Sequence, residues 1–127
     1  MSFELIVLGL SHRTAPVAMR ECLAVDPADA EAFIQSLKNL PGVGETTVIS
    51  TCNRVEIYAV TADRVCAFDA IRTFLAERLP TEAGGVGELE THLYRRAGRA
   101  AVHHLFRVAA SLDSLVVGEP QILGQVK

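Results

Sequence analysis

Tryptophan is absent from the 127 residues, and phenylalanine and tyrosine number only five and two. No RNP-type aromatic pattern is present, so generic RNA binding by stacked bases is not encoded. Cysteine is scarce and odd in number, three in all and irregularly spaced. That excludes a disulfide framework and implies reduced thiols, hence a cytoplasmic setting. No apolar run approaches the roughly 18 residues needed to cross a bilayer, and no membrane partner is expected. Met1 to Gly9 carries no basic n-region and no small-residue cleavage site, so a signal peptide is not expected. Gly42-Val43-Gly44 and Gly85-Val86-Gly87 each lack the third glycine and the helix of a dinucleotide fingerprint, so no nicotinamide site is encoded in this chain. Walker-type loops are missing too, and no Cys or His pair has metal-ligand spacing, so no metal is expected.

What is present is one domain's worth of chain, half hydrophobic, with a net charge of −3 that hides an asymmetry. Met1 to Glu90 carries seven Lys/Arg against thirteen Asp/Glu, whereas Thr91 to Lys127 carries five against two. Between Thr91 and Leu112 there is no acid at all, and Arg95, Arg96, Arg99 and Arg107 stand there with His92, His103 and His104. Such a stretch is either a solvated helix face or a local surface for a phosphate backbone.

The apolar run Phe3 to Leu10 reads as a buried strand. Val17 to Leu23 suits a short helix. Asp26-Pro27 reads as a cap and first helical position, opening a helix to about Leu40. Thr46 to Ser50 and Val55 to Val60 read as strands joined by a tight turn over Thr51 to Arg54, with Val55, Ile57 and Ala59 alternating with Glu56, Tyr58 and Val60. Asp63 caps a helix in which Val65, Phe68, Ile71, Leu75 and Leu79 recur at helical spacing. Pro80 to Glu90 is expected as a loop, His92 to Arg95 as a fourth strand, and Gly98 to about Ser111 as a last helix. The order predicts an α+β fold, a ferredoxin-like split βαβ sandwich with an additional C-terminal helix.

Among the cysteines, Cys22 and Cys66 sit in apolar or amphipathic stretches and read as core or near-core residues. Cys52 lies between two strands in Ser50-Thr51-Cys52-Asn53-Arg54, flanked by hydrogen-bonding side chains. A turn exposes it, and the nearby Arg54 favours thiolate, so Cys52 is the candidate nucleophile toward an activated acyl group. A helical wheel for 98–111 gathers Val102, Leu105, Phe106 and Ala109 on the buried face. It leaves His103 on the polar side and sets His104 beside Ala101 and Val108 at the edge of the buried face, the better candidate to help Cys52.

Three stretches together resemble the glutamyl-tRNA reductase family. They are Gly9-Leu10-Ser11-His12-Arg13-Thr14-Ala15-Pro16 with Arg20-Glu21, then Ser50-Thr51-Cys52-Asn53-Arg54-Val55-Glu56-Ile57-Tyr58, then Leu112 through Lys127. The resemblance implies NADPH-dependent reduction of glutamyl-tRNA to glutamate-1-semialdehyde, the first step of five-carbon tetrapyrrole (porphyrin) biosynthesis, through a thioester on Cys52. It also implies that Thr51, Asn53 and Arg54 surround the glutamyl group, with Arg54 facing its side-chain carboxylate. Ser114, Glu119, Pro120, Gln121 and Gln125 fall where the family's other substrate contacts lie, and His104 matches its activity-sensitive histidine.

On this resemblance residues 1–127 are an N-terminal catalytic, glutamyl-tRNA-binding domain, and the family's NADPH-binding and dimerisation domains would follow Lys127. The chain is therefore expected to acylate and hydrolyse rather than reduce. The full-length enzyme is expected to be a homodimer that can hand its product to glutamate-1-semialdehyde aminomutase. The competing expectation is a ligand- or RNA-binding module with no covalent step, since a ferredoxin-like fold does not by itself imply an enzyme.

Overall fold

A computed structural model describes residues 2–80 and 85–115, with only the backbone for 85–86 and 112–115. The first strand, β1 (Glu4–Ser11), is buried from Ile6 to its end. Phe3, expected inside it, lies outside and is exposed. A turn follows in which the amides of Thr14 and Ala15 both donate to the Ser11 carbonyl, and Thr14 Oγ1 accepts the Ser11 amide. Helix α1 (Val17–Leu23) has the expected bounds and buries Met19 and Leu23. That spacing turns Cys22 outward. Cys22 is exposed, not the core residue that its apolar neighbours suggested.

Asp26-Pro27 does not open an α-helix directly. Pro27 starts a 3₁₀ turn, Pro27–Asp29, with no side-chain cap from Asp26, and α2 (Ala30–Lys38) begins after it. The Asp29 amide donates to the Asp26 carbonyl, three residues back, which is 3₁₀ rather than α geometry. Strands β2 (Thr46–Ser50) and β3 (Arg54–Thr61) form the expected hairpin. In α3 (Arg64–Ala76) the Asp63 carboxylate accepts the Cys66 amide as its N-cap. Its buried stripe is Ala67, Ile71 and Leu75, so Val65 falls outside and is exposed.

The stretch expected as a loop holds a short helix, α4 (Gly85–Glu90). Leu89 is buried in the core, and Arg95 Nη2 grips both Glu90 oxygens at 2.5 and 2.6 Å. Strand β4 is Tyr94–Ala97, two residues later than expected. His92 is held back by its amide on the Leu89 carbonyl and by Nδ1 at 2.7 Å from the Thr14 carbonyl. Gly98, at φ 60, then reverses the chain into α5 (Arg99–Leu115) while its amide donates to the Leu5 carbonyl.

The sheet order is β2-β3-β1-β4, with every neighbouring pair antiparallel. This is the split βαβ arrangement of the expected α+β fold. One face carries the main core: Ile6, Leu8, Leu10, Val55 and Ile57 meet Leu23, Phe33, Leu37, Ile71 and Leu75. The other is covered by the extra helix α5, where Val7, Ile49 and Tyr58 meet Ala101 and Val108. Among the described residues no helix is long and apolar enough to cross a membrane.

Candidate active site

Covering the second face brings one strand's polar residues indoors. Glu56 is wholly buried, and four donors converge on its carboxylate. Tyr58 Oη donates to Oε1 at 2.7 Å, and Tyr94 Oη donates to Oε2 at 2.5 Å. Arg54 Nη1 and His104 Nε2 also reach Oε2, at 3.1 and 2.6 Å. A buried carboxylate is tolerated only when so satisfied. Burial alone pushes the Glu56 carboxyl up, but the hydrogen bonds from Tyr94, His104 and Tyr58 outweigh it and hold it below its ordinary value. Burial, and then the adjacent Glu56 charge, push both tyrosine hydroxyls far above their ordinary range, so they stay protonated donors.

Gly9 makes room for this hub. It lies opposite Glu56 on β3 and opposite Tyr94 on β4. A Cβ at residue 9 would stand 2.8 Å from Glu56 Cγ and 2.8 Å from the Val55 carbonyl oxygen. Glycine is required here by close approach rather than by backbone angle.

Beside the hub opens a cleft of about 510 Å³, lined by Ser11 to Thr14, Thr51, Asn53, Arg54, Tyr94, Arg96, His104, Arg107, Val108 and Ser111. The turn over residues 51–53 forms part of its wall. Thr51 Oγ1 accepts the amides of Asn53 and Arg54 at 3.1 and 3.2 Å, so this hydroxyl shapes the turn. The Asn53 carbonyl accepts the His12 amide at 2.7 Å, tying the turn to the loop after β1. Arg20 adds a second tie, donating from Nε to the Ala15 carbonyl and from Nη1 to the Cys52 carbonyl, at 3.3 and 2.5 Å.

Cys52 is exposed on this braced turn, and Thr51 and Asn53 on either side of it line the cleft, although Cys52 itself is not among the lining residues. Exposure does not single it out, because Cys22 is exposed as well. Its position does. Arg54 lines the cleft with Nη1 already committed to Glu56. His104 lines it with Nε2 on Glu56, while its buried Nδ1 has no hydrogen-bond partner among the described residues.

The expected wheel is rotated. The buried face of α5 runs through Ala101 and Val108 beside His104, whereas Val102 and Phe106 are exposed. His104 is therefore more central, and Phe106 less, than a wheel without its sheet suggested. Ser114 lies in α5, its side chain outside the described atoms, and Glu119, Pro120, Gln121 and Gln125 lie outside the described residues. Sequence reasoning missed Glu56, Tyr58, Tyr94 and the spacing role of Gly9. Two signals pointed to them: an acid and a tyrosine two apart inside an apolar strand, and a helix left over after the βαββαβ set was complete.

Residues 8–127 match the family model described as glutamyl-tRNAGlu reductase, N-terminal domain. Among curated proteins, the glutamyl-tRNA reductase of Solibacter usitatus is 51% identical over 124 residues, covering 98% of this chain and 29% of that protein. That of Geotalea daltonii is 50% identical over 126 residues, covering 98% and 28%. The chain thus spans under a third of the length of these relatives. Among solved structures, a glutamyl-tRNA reductase from Methanopyrus kandleri superposes with a TM-score of 0.53 at 30% identity, over 95% of this chain and 26% of that one.

Proposed function

This chain belongs to the glutamyl-tRNA reductase family, and we propose that it is the domain that takes the glutamyl group from glutamyl-tRNA onto Cys52. The Cys52 thiolate attacks the ester carbonyl and forms a thioester. The ribose oxygen of the tRNA leaves and takes up the proton that the Cys52 thiol gives up. His104, its Nε2 held by Glu56 and its Nδ1 buried, acts by position on the cleft wall. Thr51, Asn53 and Arg54 bound the glutamyl group, and Ser114, Glu119, Pro120, Gln121 and Gln125 complete its surroundings. The observation that carries this reading is the braced, exposed Cys52 turn, whose neighbours Thr51 and Asn53 line the cleft beside Arg54 and His104.

NADPH finds no fit among the described residues. Every strand pairing is antiparallel, and neither glycine pair sits in a strand-to-helix phosphate turn. Gly44 is closed in by the Val60 carbonyl oxygen, 2.8 Å from where its Cβ would stand. No step through the cofactor is derived from this chain. In the full-length enzyme we assign NADPH to a separate domain, from which a hydride would be supplied for reduction to glutamate-1-semialdehyde, the start of tetrapyrrole synthesis. That enzyme is read as a cytoplasmic homodimer delivering its product to the aminomutase. This chain alone adds water to the thioester, regenerating the thiol and releasing glutamate.

The test is mass spectrometry after incubation with glutamyl-tRNA. An adduct of glutamyl mass on Cys52, and glutamate release that the Cys52→Ser variant lacks, are expected; equal release from both proteins sinks the reading. Because Cys22 is also exposed, iodoacetamide labelling is informative only as protection. Glutamyl-tRNA should shield Cys52 and leave Cys22 unchanged, whereas a binding module without a covalent step gives protection but no adduct.

A further inference from the structure

The cleft carries more positive charge than a glutamyl group needs. Among the described residues, Arg13, Arg54, Arg96 and Arg107 line it together with His12 and His104, and no aspartate or glutamate does, in a chain whose net charge is −3. One guanidinium satisfies one carboxylate through two parallel hydrogen bonds. The neighbouring arginines are already engaged: Arg54 with Glu56, Arg95 with Glu90, and Arg20 with two carbonyls. Arg13, Arg96 and Arg107 have no carboxylate partner among the described residues, and all three are exposed. Arg96 is steered into place, its Nη1 donating to the Arg95 carbonyl at 2.7 Å and its guanidinium 6.0 Å from the Tyr94 ring centre.

These three come from the loop after β1, from β4 and from α5, so tertiary folding and not a local charge run collects them. Like charges that share a cleft repel one another, and the arrangement becomes favourable when a ligand with several negative charges fills it. We infer that Arg13, Arg96 and Arg107 hold internucleotide phosphates of the single-stranded 3′ end of an RNA, threading its terminal ester toward Cys52. This rests on the function proposed above and assigns it a polynucleotide track distinct from the glutamyl contacts.

Single-turnover acylation of Cys52 is to be measured with glutamyl-tRNA and with 2′(3′)-O-glutamyl-adenosine, which carries the ester and no phosphate. In Arg96→Gln and Arg107→Gln, the half-saturating concentration of glutamyl-tRNA should rise about five-fold at 0.1 M salt, with the log–log salt slope shallower by about 0.7 per arginine, the counterion release of one single-strand phosphate. With glutamyl-adenosine the same variants should keep the parent concentration dependence. Equal losses on both substrates, or an unchanged salt slope, overturn the inference and return these arginines to the glutamyl group. Binding of uncharged tRNA gives an independent readout. If neither ester acylates Cys52 the proposed function fails, and a shallower salt slope for uncharged tRNA still supports the track while an unaltered one overturns it. Competition by inorganic phosphate as effective as by a CCA trinucleotide also overturns it, because a lone anion site would then suffice.

Discussion

The two faces of the sheet are built from the same strands, one residue out of step, yet they solve different problems. Toward α1, α2 and α3, the strands present Ile6, Leu8, Leu10, Val55 and Ile57, and that side is an apolar core. Toward α5 they present Val7, Gly9, Glu56 and Tyr58, where a small apolar cluster borders a carboxylate with four donors. The first face stabilises by area removed from water. The second gives up much of that gain, since burying an ion pair returns little net stability. What it obtains is fixed direction: His104 and Arg54, both on the cleft wall, are oriented by one immobile acceptor. Polar burial beside the cleft and apolar burial away from it mark which half of the domain is built to position side chains.

The contrast can be broken from either side. Glu56→Ala should cost the most, about 3–5 kcal/mol, because it removes the buried acceptor shared by two tyrosine hydroxyls, an imidazole and a guanidinium. Urea unfolding measures it, and a loss under 1 kcal/mol would mean the hub is not the closed network described. Its pH dependence sharpens the point. Glu56 is held below its ordinary value of 4.5 in the fold, so its contribution is fully present above that pH and drains away as pH falls through the depressed value. The gap between parent and Glu56→Ala should therefore narrow in acid.

Leu8→Ala, on the other face of β1, should cost about 2–5 kcal/mol through lost transfer energy and a cavity, with a gap to the parent that does not change with pH. A pH-dependent gap there would erase the distinction between the faces. Smallest is Gly9→Ala, about 1–3 kcal/mol from forcing a methyl against Glu56 and the Val55 carbonyl. Thermal unfolding checks it, and an unchanged midpoint would show that β3 yields easily at the hub.

Much of the fold was legible locally. Strand β2 and helix α1 match their expected bounds, the Asp63 cap is formed, and the hairpin turn sits where its polar residues put it. Short-range hydrogen bonding and period-2 or period-3.6 hydrophobicity act over a few residues, so a sequence displays them. Three of the errors fell where distant partners decide. Helix α4 exists because Leu89 reaches the core and Glu90 meets Arg95, and β4 starts late because His92 is held by Thr14. The α5 wheel was turned because the sheet, not the helix's own most apolar residues, selects the face to bury.

By itself the sequence determined the α+β class and the order of the four strands, the resemblance on which the family was first read, and Cys52 as a residue held in a turn between strands. Local chain geometry and side-chain chemistry are enough for that. Only the tertiary structure decided that Glu56, Tyr58, Tyr94 and His104 would meet, that Gly9 must lack a side chain, and that arginines from three separate elements would share one cleft. Those outcomes depend on strand register and on a fifth helix closing the second face. Side chains far apart in sequence meet only after the backbone has committed to a register, and no window of sequence contains that register.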